Sequence, residues 1–101
     1  MAIRYSSGTG NLIDKELNKP LSIIQYNMME TSPTKYTSGK WWGEISIKKE
    51  LKKTGNYIME LEDGRKGECV ISSDSQEKRT ASNYFYSFFG RGKLGKPRYG
   101  L

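Results

Sequence analysis

Apolar and polar residues alternate most clearly in the middle of the chain. Over residues 41–48 the odd positions are apolar or glycine, and the even positions after Trp42 are polar. This period of two is typical of a half-buried β-strand. The alternation returns over residues 57–61, and the Asp63-Gly64 step that follows tolerates the positive φ of a tight turn. We therefore predict a β-hairpin over residues 57–72, with its return strand at 68–72.

Residues 1–39 have a weaker pattern and are rich in Ser, Thr, Gly and Asn. Residues 21–26 follow Pro20 and favour a strand. Residues 11–17 place Leu12, Ile13 and Leu17 on one face of a short helical turn. The composition of residues 31–39 predicts a loop.

Residues 73–90 are compatible with two structures. Asp74 and Glu77 resemble a helical capping box, and the aromatic residues after Ala81 also fit helical spacing. The same aromatic residues alternate, and their density favours a strand. In a strand, Tyr84, Tyr86 and Phe88 share one face and Phe85, Ser87 and Phe89 share the other.

These elements predict a mainly β fold. Short strands every 10–15 residues, separated by Gly turns, favour a small antiparallel sheet that curls into an SH3-like or OB-like barrel. The alternative is an α+β domain with a C-terminal helix over residues 75–89. We expect one domain over residues 1–94 and a flexible, basic tail over residues 95–101.

The alternation also predicts which side chains form the core. Trp42 faces away from Trp41, which makes Trp42 a candidate protein interface. Cys69 lies in the middle of a strand and is expected to be a small buried residue. We expect the core to comprise Trp41, Ile45, Ile47, Met59, Leu61 and either Phe85 or Phe89.

Three groups of residues carry a resemblance to known proteins: Trp42-Gly43, the segment G-x-Y-x-M-x-LEDGR-x-G at residues 55–67, and Phe89-Gly90-x-Gly92-x-Leu94. They resemble small uncharacterised bacterial and phage-borne β domains, which pair such a hairpin with a closing F-x-G-x-L strand. The match covers residues 42–94. It implies a β fold and no particular activity.

The composition excludes several kinds of catalytic and metal site. The chain has no His and a single Cys, which excludes His-dependent triads, His-ligated metals and an internal disulfide. The carboxylates Glu60, Glu62 and Asp63 are expected on a solvated face and in a turn. The glycines of residues 7–10 lack the Gly-Lys-Ser/Thr of a phosphate loop. We expect a non-enzymatic protein with no catalytic residues, no metal site and no cofactor.

The sequence also bears on location. It has no apolar run of about 18 residues, the length that spans a membrane. Residues 1–11 lack the apolar middle of a signal peptide. We therefore expect a cytoplasmic, reduced protein with no membrane partner.

The net charge of +6 is concentrated at one end of the chain. Residues 1–77 contain 11 Lys/Arg and 11 Asp/Glu, whereas residues 78–101 contain six Lys/Arg and no acid. A basic, aromatic segment favours sequence-indifferent contact with nucleic acid. The candidate contact residues are Arg79, Tyr84, Tyr86, Arg91, Lys93, Lys96 and Arg98. The alternative is a protein–protein accessory of phage or mobile-element type, which docks on an acidic partner through Trp42 and a sheet edge.

Overall fold

The protein is a closed antiparallel β-barrel. The computed structural model describes residues 3–36, 39–51, 54–72 and 83–95. Its strands are β1 (Ile3–Asp14), β2 (Lys19–Thr31), β3 (Trp41–Ile47), β4 (Gly55–Glu60), β5 (Lys66–Ser72) and β6 (Tyr84–Arg91). They follow one another round the barrel in the order β1-β2-β3-β6-β5-β4, and β4 pairs back with β1. The predicted barrel is therefore confirmed. Within the described ranges, no helix is long and apolar enough to cross a membrane.

The predicted hairpin is confirmed as β4 and β5, which are paired from Gly55 opposite Ile71 to Glu60 opposite Lys66. Asp63 shapes the turn, because its Oδ1 accepts the main-chain N–H of Arg65 at 3.0 Å. Gly64 has a φ of 93°, which glycine adopts without strain. The alternation and the turn chemistry therefore act together to set this register.

The expected helical turn over residues 11–17 is wrong for residues 11–14, which belong to β1. This strand pairs with β2 along its whole length, although its Ser, Gly and Thr content gives little strand signal. Gly10 shows why a small residue is needed, since a Cβ there would overlap the carbonyl oxygen of Glu60 on β4. The close approach of the β1 and β4 backbones therefore requires glycine at position 10.

All six strands contribute side chains to one core, which fills the barrel. Cys69 is fully buried as expected, and burial, with a smaller effect of the Glu68 charge, raises the pKa of its thiol to about 12. The five core residues that were predicted without an alternative are all buried, which confirms them: Trp41, Ile45, Ile47, Met59 and Leu61.

The faces of β6 are the reverse of those expected. Tyr86 is 1% exposed and Phe88 is fully buried, whereas Phe89 is 60% exposed and Phe85 lies half-buried on the outer wall. The prediction of Phe85 or Phe89 in the core is therefore wrong. Gly90 explains the choice of face, because only glycine fits beneath the indole of Trp41 and alternation then turns Phe88 inward.

The alternative of a helix over residues 75–89 is not supported, because the residues from Tyr84 onward are β6. Residues 75–82 lie outside the described ranges. Tyr86 has a structural role in this strand: its hydroxyl oxygen accepts the main-chain N–H of Leu51 at 3.0 Å.

The barrel is closed by a short seam. β4 pairs with β1 only over Asn11–Asp14, so Ile3–Ser7 has β2 on one side and no described strand on the other. The main-chain N–H of Thr9 donates to Glu62 Oε1 at 2.9 Å, and this bond marks the end of the open edge. The barrel is thus closed at one end and has a free strand edge at the other.

Candidate binding surface on the outer barrel wall

The structure separates the residues that were predicted to form a nucleic-acid site. Tyr86 lies in the core and cannot present its ring to a ligand, so its assignment to a stacking surface is wrong. Tyr84 faces inward and packs against the same core. Arg91 and Lys93 are exposed, and Trp42 is half-buried on the outer wall as expected. Arg79, Lys96 and Arg98 lie outside the described residues.

Five apolar side chains lie side by side on the outer wall, each opposite the next on a neighbouring strand. We call them the outer apolar row: Tyr5, Met29, Trp42, Phe89 and Val70. Side chains at directly opposed positions are about 4.5–5.5 Å apart at Cβ, so they form a continuous ridge across five strands. Tyr5 and Phe89 are its most exposed members, at 67% and 60%.

Basic residues border the row at one end of the barrel. Lys40 directly precedes β3 and Arg91 ends β6, each two residues from the ring of Trp42 or Phe89. Arg91 is oriented by Asn56, whose Oδ1 accepts a hydrogen bond from its guanidinium at 3.1 Å. Lys40 and Lys93 are exposed and form no ion pair with any other described residue. Positive charge is therefore available beside the exposed rings.

Glu68 lies 3.9 Å from Arg91, and its carboxylate is shared with another cation. Lys15 contacts the same carboxylate oxygen at 2.6 Å. The hydrogen bond from Lys15, together with the charges of Lys15 and Arg91, holds the pKa of Glu68 below its ordinary value. Because Glu68 is also neutralised by Lys15, it offsets only part of the charge of Arg91.

The segment that follows β6 is anchored over this end of the barrel. The indole N–H of Trp41 donates to the carbonyl of Gly92 at 3.0 Å, and the N–H of Gly95 donates to the carbonyl of Lys66 at 2.8 Å. Leu94 packs against the core between these two bonds. The basic sequence beyond Gly95 therefore begins next to the basic end of the row.

A polar groove of about 470 Å³ lies on the other side of the row. Phe85 contributes a half-buried ring to it. Glu44 adds a carboxylate to its lining. The hydroxyl and amide groups of the groove come from Ser7, Thr9, Gln25, Tyr26, Asn27, Ser46 and Asn83. Such groups can hydrogen-bond to the edge of a planar, uncharged ring system.

The carboxylates considered as catalytic candidates hold the structure together. Glu60 accepts a hydrogen bond from the side-chain amide of Asn11 at 3.1 Å, and Glu62 binds the N–H of Thr9. Asp63 forms the turn and an ion pair with Arg65. Across the described ranges, no group of three or more His, Cys, Asp or Glu residues is placed to hold a metal ion.

Sequence reasoning missed four members of the row. Tyr5 and Met29 fall in segments with a weak pattern, the alternation identifies Val70 only as part of a return strand, and it places Phe89 in the core. Only the register between strands shows that these residues are neighbours of Trp42. A local pattern does not contain that register.

Together, the fold and this surface define a small closed β-barrel whose outer wall carries an apolar row with exposed aromatic rings and has basic residues at one end of the barrel. No protein-family model matches the sequence, and no curated protein or solved structure shows significant similarity to it.

Proposed function

We propose that this chain is a non-enzymatic module that binds single-stranded nucleic acid across the outer apolar row. The observation that carries the proposal is the paired placement of Trp42 and Phe89, which face outward with Lys40 and Arg91 two residues away along the chain. Aromatic rings stack on bases, and nearby cations contact the phosphates. Trp42 and Phe89 take the stacking role that the sequence suggested for Tyr84 and Tyr86.

The dimensions of the surface suit a short stretch of single strand. Neighbouring strands are about 4.8 Å apart, so the row from Tyr5 to Val70 is about 20 Å long. That length accommodates a few nucleotides, at the lower end of the site sizes found for small barrels. The amide and hydroxyl groups of the adjacent groove are placed to contact base edges.

The charge distribution favours backbone contact without strong sequence preference. Arg91, Lys93 and Lys40 lie at one end of the row, and the chain leading to Lys96 and Arg98 starts there. Flexible Lys and Arg side chains reach phosphates more readily than they read base edges. Affinity should therefore depend strongly on salt and weakly on sequence.

Binding of labelled oligo-dT and oligo-U, measured by fluorescence anisotropy at low salt, tests the proposal. Trp42→Ala and Phe89→Ala should each weaken binding about 5- to 100-fold, because each substitution removes a ring on which a base stacks. Tyr36→Ala is the matched control, since Tyr36 is an exposed ring in the loop after β2 and lies outside the row. It should bind like the unaltered protein.

A salt titration separates the phosphate contacts from the stacking contacts. Replacing Lys40, Arg91 and Lys93 with Ala should reduce the slope of log affinity against log salt by about 0.7 for each phosphate that the variant no longer neutralises. Absence of binding to either oligonucleotide at low salt, or unchanged affinity in both ring variants, overturns the proposal. The outer apolar row would then be a candidate surface for a protein partner, because Met and Trp are enriched at protein interfaces and Met29 lies opposite Trp42. The basic residues beside the row favour an acidic partner.

A further inference from the structure

The edge of β1 from Ile3 to Gly10 is the longest strand edge without a partner strand among the described residues, and its first part, Ile3–Ser7, lies before the bond from Thr9 to Glu62. β2 covers one side of this segment, and pairing with β4 begins only at Asn11. Ile3 and Tyr5 are 58% and 67% exposed on it. Proteins usually protect such edges with Pro, Lys, a bulge or a covering segment. In this part of β1 the only charged side chain is Arg4, and the register with β2 is regular.

The direction of the free hydrogen-bonding groups follows from Thr9. Its N–H points away from β2, because it donates to Glu62 Oε1. Main-chain groups alternate in direction along a strand, so those of Ile3, Tyr5 and Ser7 point to the same open side. Each of these three residues offers one N–H and one C=O to a further strand.

We propose that a second copy of this chain pairs with this edge, strand against strand, about a two-fold axis at Tyr5. Antiparallel pairing places Tyr5 opposite Tyr5 of the second copy and Ile3 opposite its Ser7. The three pairs exchange about six main-chain hydrogen bonds. The contact is isologous, as in most homodimers.

The charges of the segment are compatible with self-pairing. Arg4 lies opposite Ser6 of the second copy, so the register places no like charges against each other. The bond from Thr9 to Glu62 limits pairing to the residues before it. The edge therefore permits this register and stops the second strand from sliding along β1 toward β4.

The dimer also joins the two outer apolar rows. Tyr5 is the last member of the row on β1, so the two rows would meet at the two-fold axis and continue across both barrels. This consequence rests on the proposed function, whereas the pairing itself does not. Each Tyr5 side chain leans over β2, where its hydroxyl donates to Asn27 Oδ1 at 3.0 Å, so the contact at the two-fold axis depends mainly on the main-chain bonds.

The test is the mass of the full-length protein in solution, measured by sedimentation equilibrium from micromolar to millimolar concentration. We expect a concentration-dependent rise to twice the mass of one chain. Ser7→Pro should remain monomeric, because proline removes an N–H that faces the open edge and leaves the bonds to β2 intact. Ser7→Ala keeps the N–H and should dimerise like the unaltered protein.

A second variant tests the two-fold axis at Tyr5. Tyr5→Glu would oppose two carboxylates and should also prevent dimerisation, whereas Ile23→Glu adds the same charge at an exposed position of β2 and should not. A monomer throughout the concentration range, or a dimer that persists in Ser7→Pro, overturns the proposal. A monomeric Ser7→Pro that still binds oligonucleotides would separate this pairing from the proposed function, and a dimer without oligonucleotide binding would refute the proposed function alone.

Discussion

The indole of Trp41 lies directly against the backbone of Gly90 on the neighbouring strand. A Cβ at Gly90 would overlap the ring at Cε2 and Nε1, and a Cβ at Gly67 would also meet it closely, at 2.7 Å from Cζ2. The ring is held by its bond to the carbonyl of Gly92 and is tilted against Phe88, with ring centres 5.9 Å apart. Two glycines thus form a slot for the largest side chain of the core.

Gly90→Ala should destabilise the protein by about 1–3 kcal/mol, because the added methyl group overpacks the slot. Chemical denaturation followed by circular dichroism measures the change in the free energy of unfolding. In a Trp41→Phe background the smaller ring leaves room, so the same substitution should cost clearly less. Equal costs in the two backgrounds would show that the indole is not what excludes the methyl group.

Ile45→Ala should cost about 2–5 kcal/mol of folding free energy, because Ile45 is 1% exposed at the centre of β3 and its truncation leaves a cavity. Ile23→Ala is the matched control, since Ile23 lies on the outer face of β2. Its cost should stay below about 0.5 kcal/mol. Thermal or urea unfolding of both variants checks the difference, and similar costs would contradict the assignment of faces.

Tyr86→Phe should destabilise the barrel by about 1–3 kcal/mol, because the buried N–H of Leu51 loses its acceptor. The amide of Leu51 should also exchange hydrogen faster in the variant. Tyr84→Phe is the comparison on the same strand and should have a smaller effect. Loss of oligonucleotide affinity in Tyr86→Phe without loss of stability would contradict a purely structural role for this ring.

Cys69 makes the barrel less stable at alkaline pH. Its thiol has a pKa of about 12 in the folded protein, against an ordinary value of 9.0, because burial disfavours the thiolate. The unfolded chain therefore releases this proton first as the pH rises. The stabilisation is complete below pH 9.0 and is lost as the pH rises toward about 12.

Unfolding measured between about pH 8 and pH 11 should show a smaller decline in stability for Cys69→Ala than for the unaltered protein. Burial also raises the pKa of Tyr57, with a smaller effect of the Asp14 charge, so some decline should remain in the variant. At neutral pH a thiol reagent should label Cys69 only at the rate at which the barrel opens. Rapid labelling of the folded protein would contradict the buried position.

The sequence predicts an element well where local chemistry is sufficient. The hairpin of β4 and β5 depends on the Asp63-Gly64 turn between two alternating runs, and β3 depends on alternation alone. Both signals lie within a few residues. Trp42 could be placed on the outer wall for the same reason.

β1 could not be predicted because its strand state depends on residues far away in the chain. Gly8 and Gly10 weaken any local strand signal, yet they are required where Tyr26 and the backbone of Glu60 approach. β6 presents a different difficulty, since both of its faces are aromatic and alternation cannot distinguish them. The contact between Trp41 and Gly90 makes that choice, and with it the identity of the exposed ring, Phe89.

The short seam between β1 and β4 acts as a latch on an otherwise continuous sheet. Asn11 and Glu60, which the seam brings together, are 49 residues apart, so the loop between them makes closure costly in chain entropy. We expect the latch to form late in folding and to release first in the native state, with the β4 amides that face β1 exchanging before the amides of β3. Brief release would turn the barrel into an open, curled sheet while the outer apolar row, carried by β1, β2, β3, β6 and β5, stays in one piece.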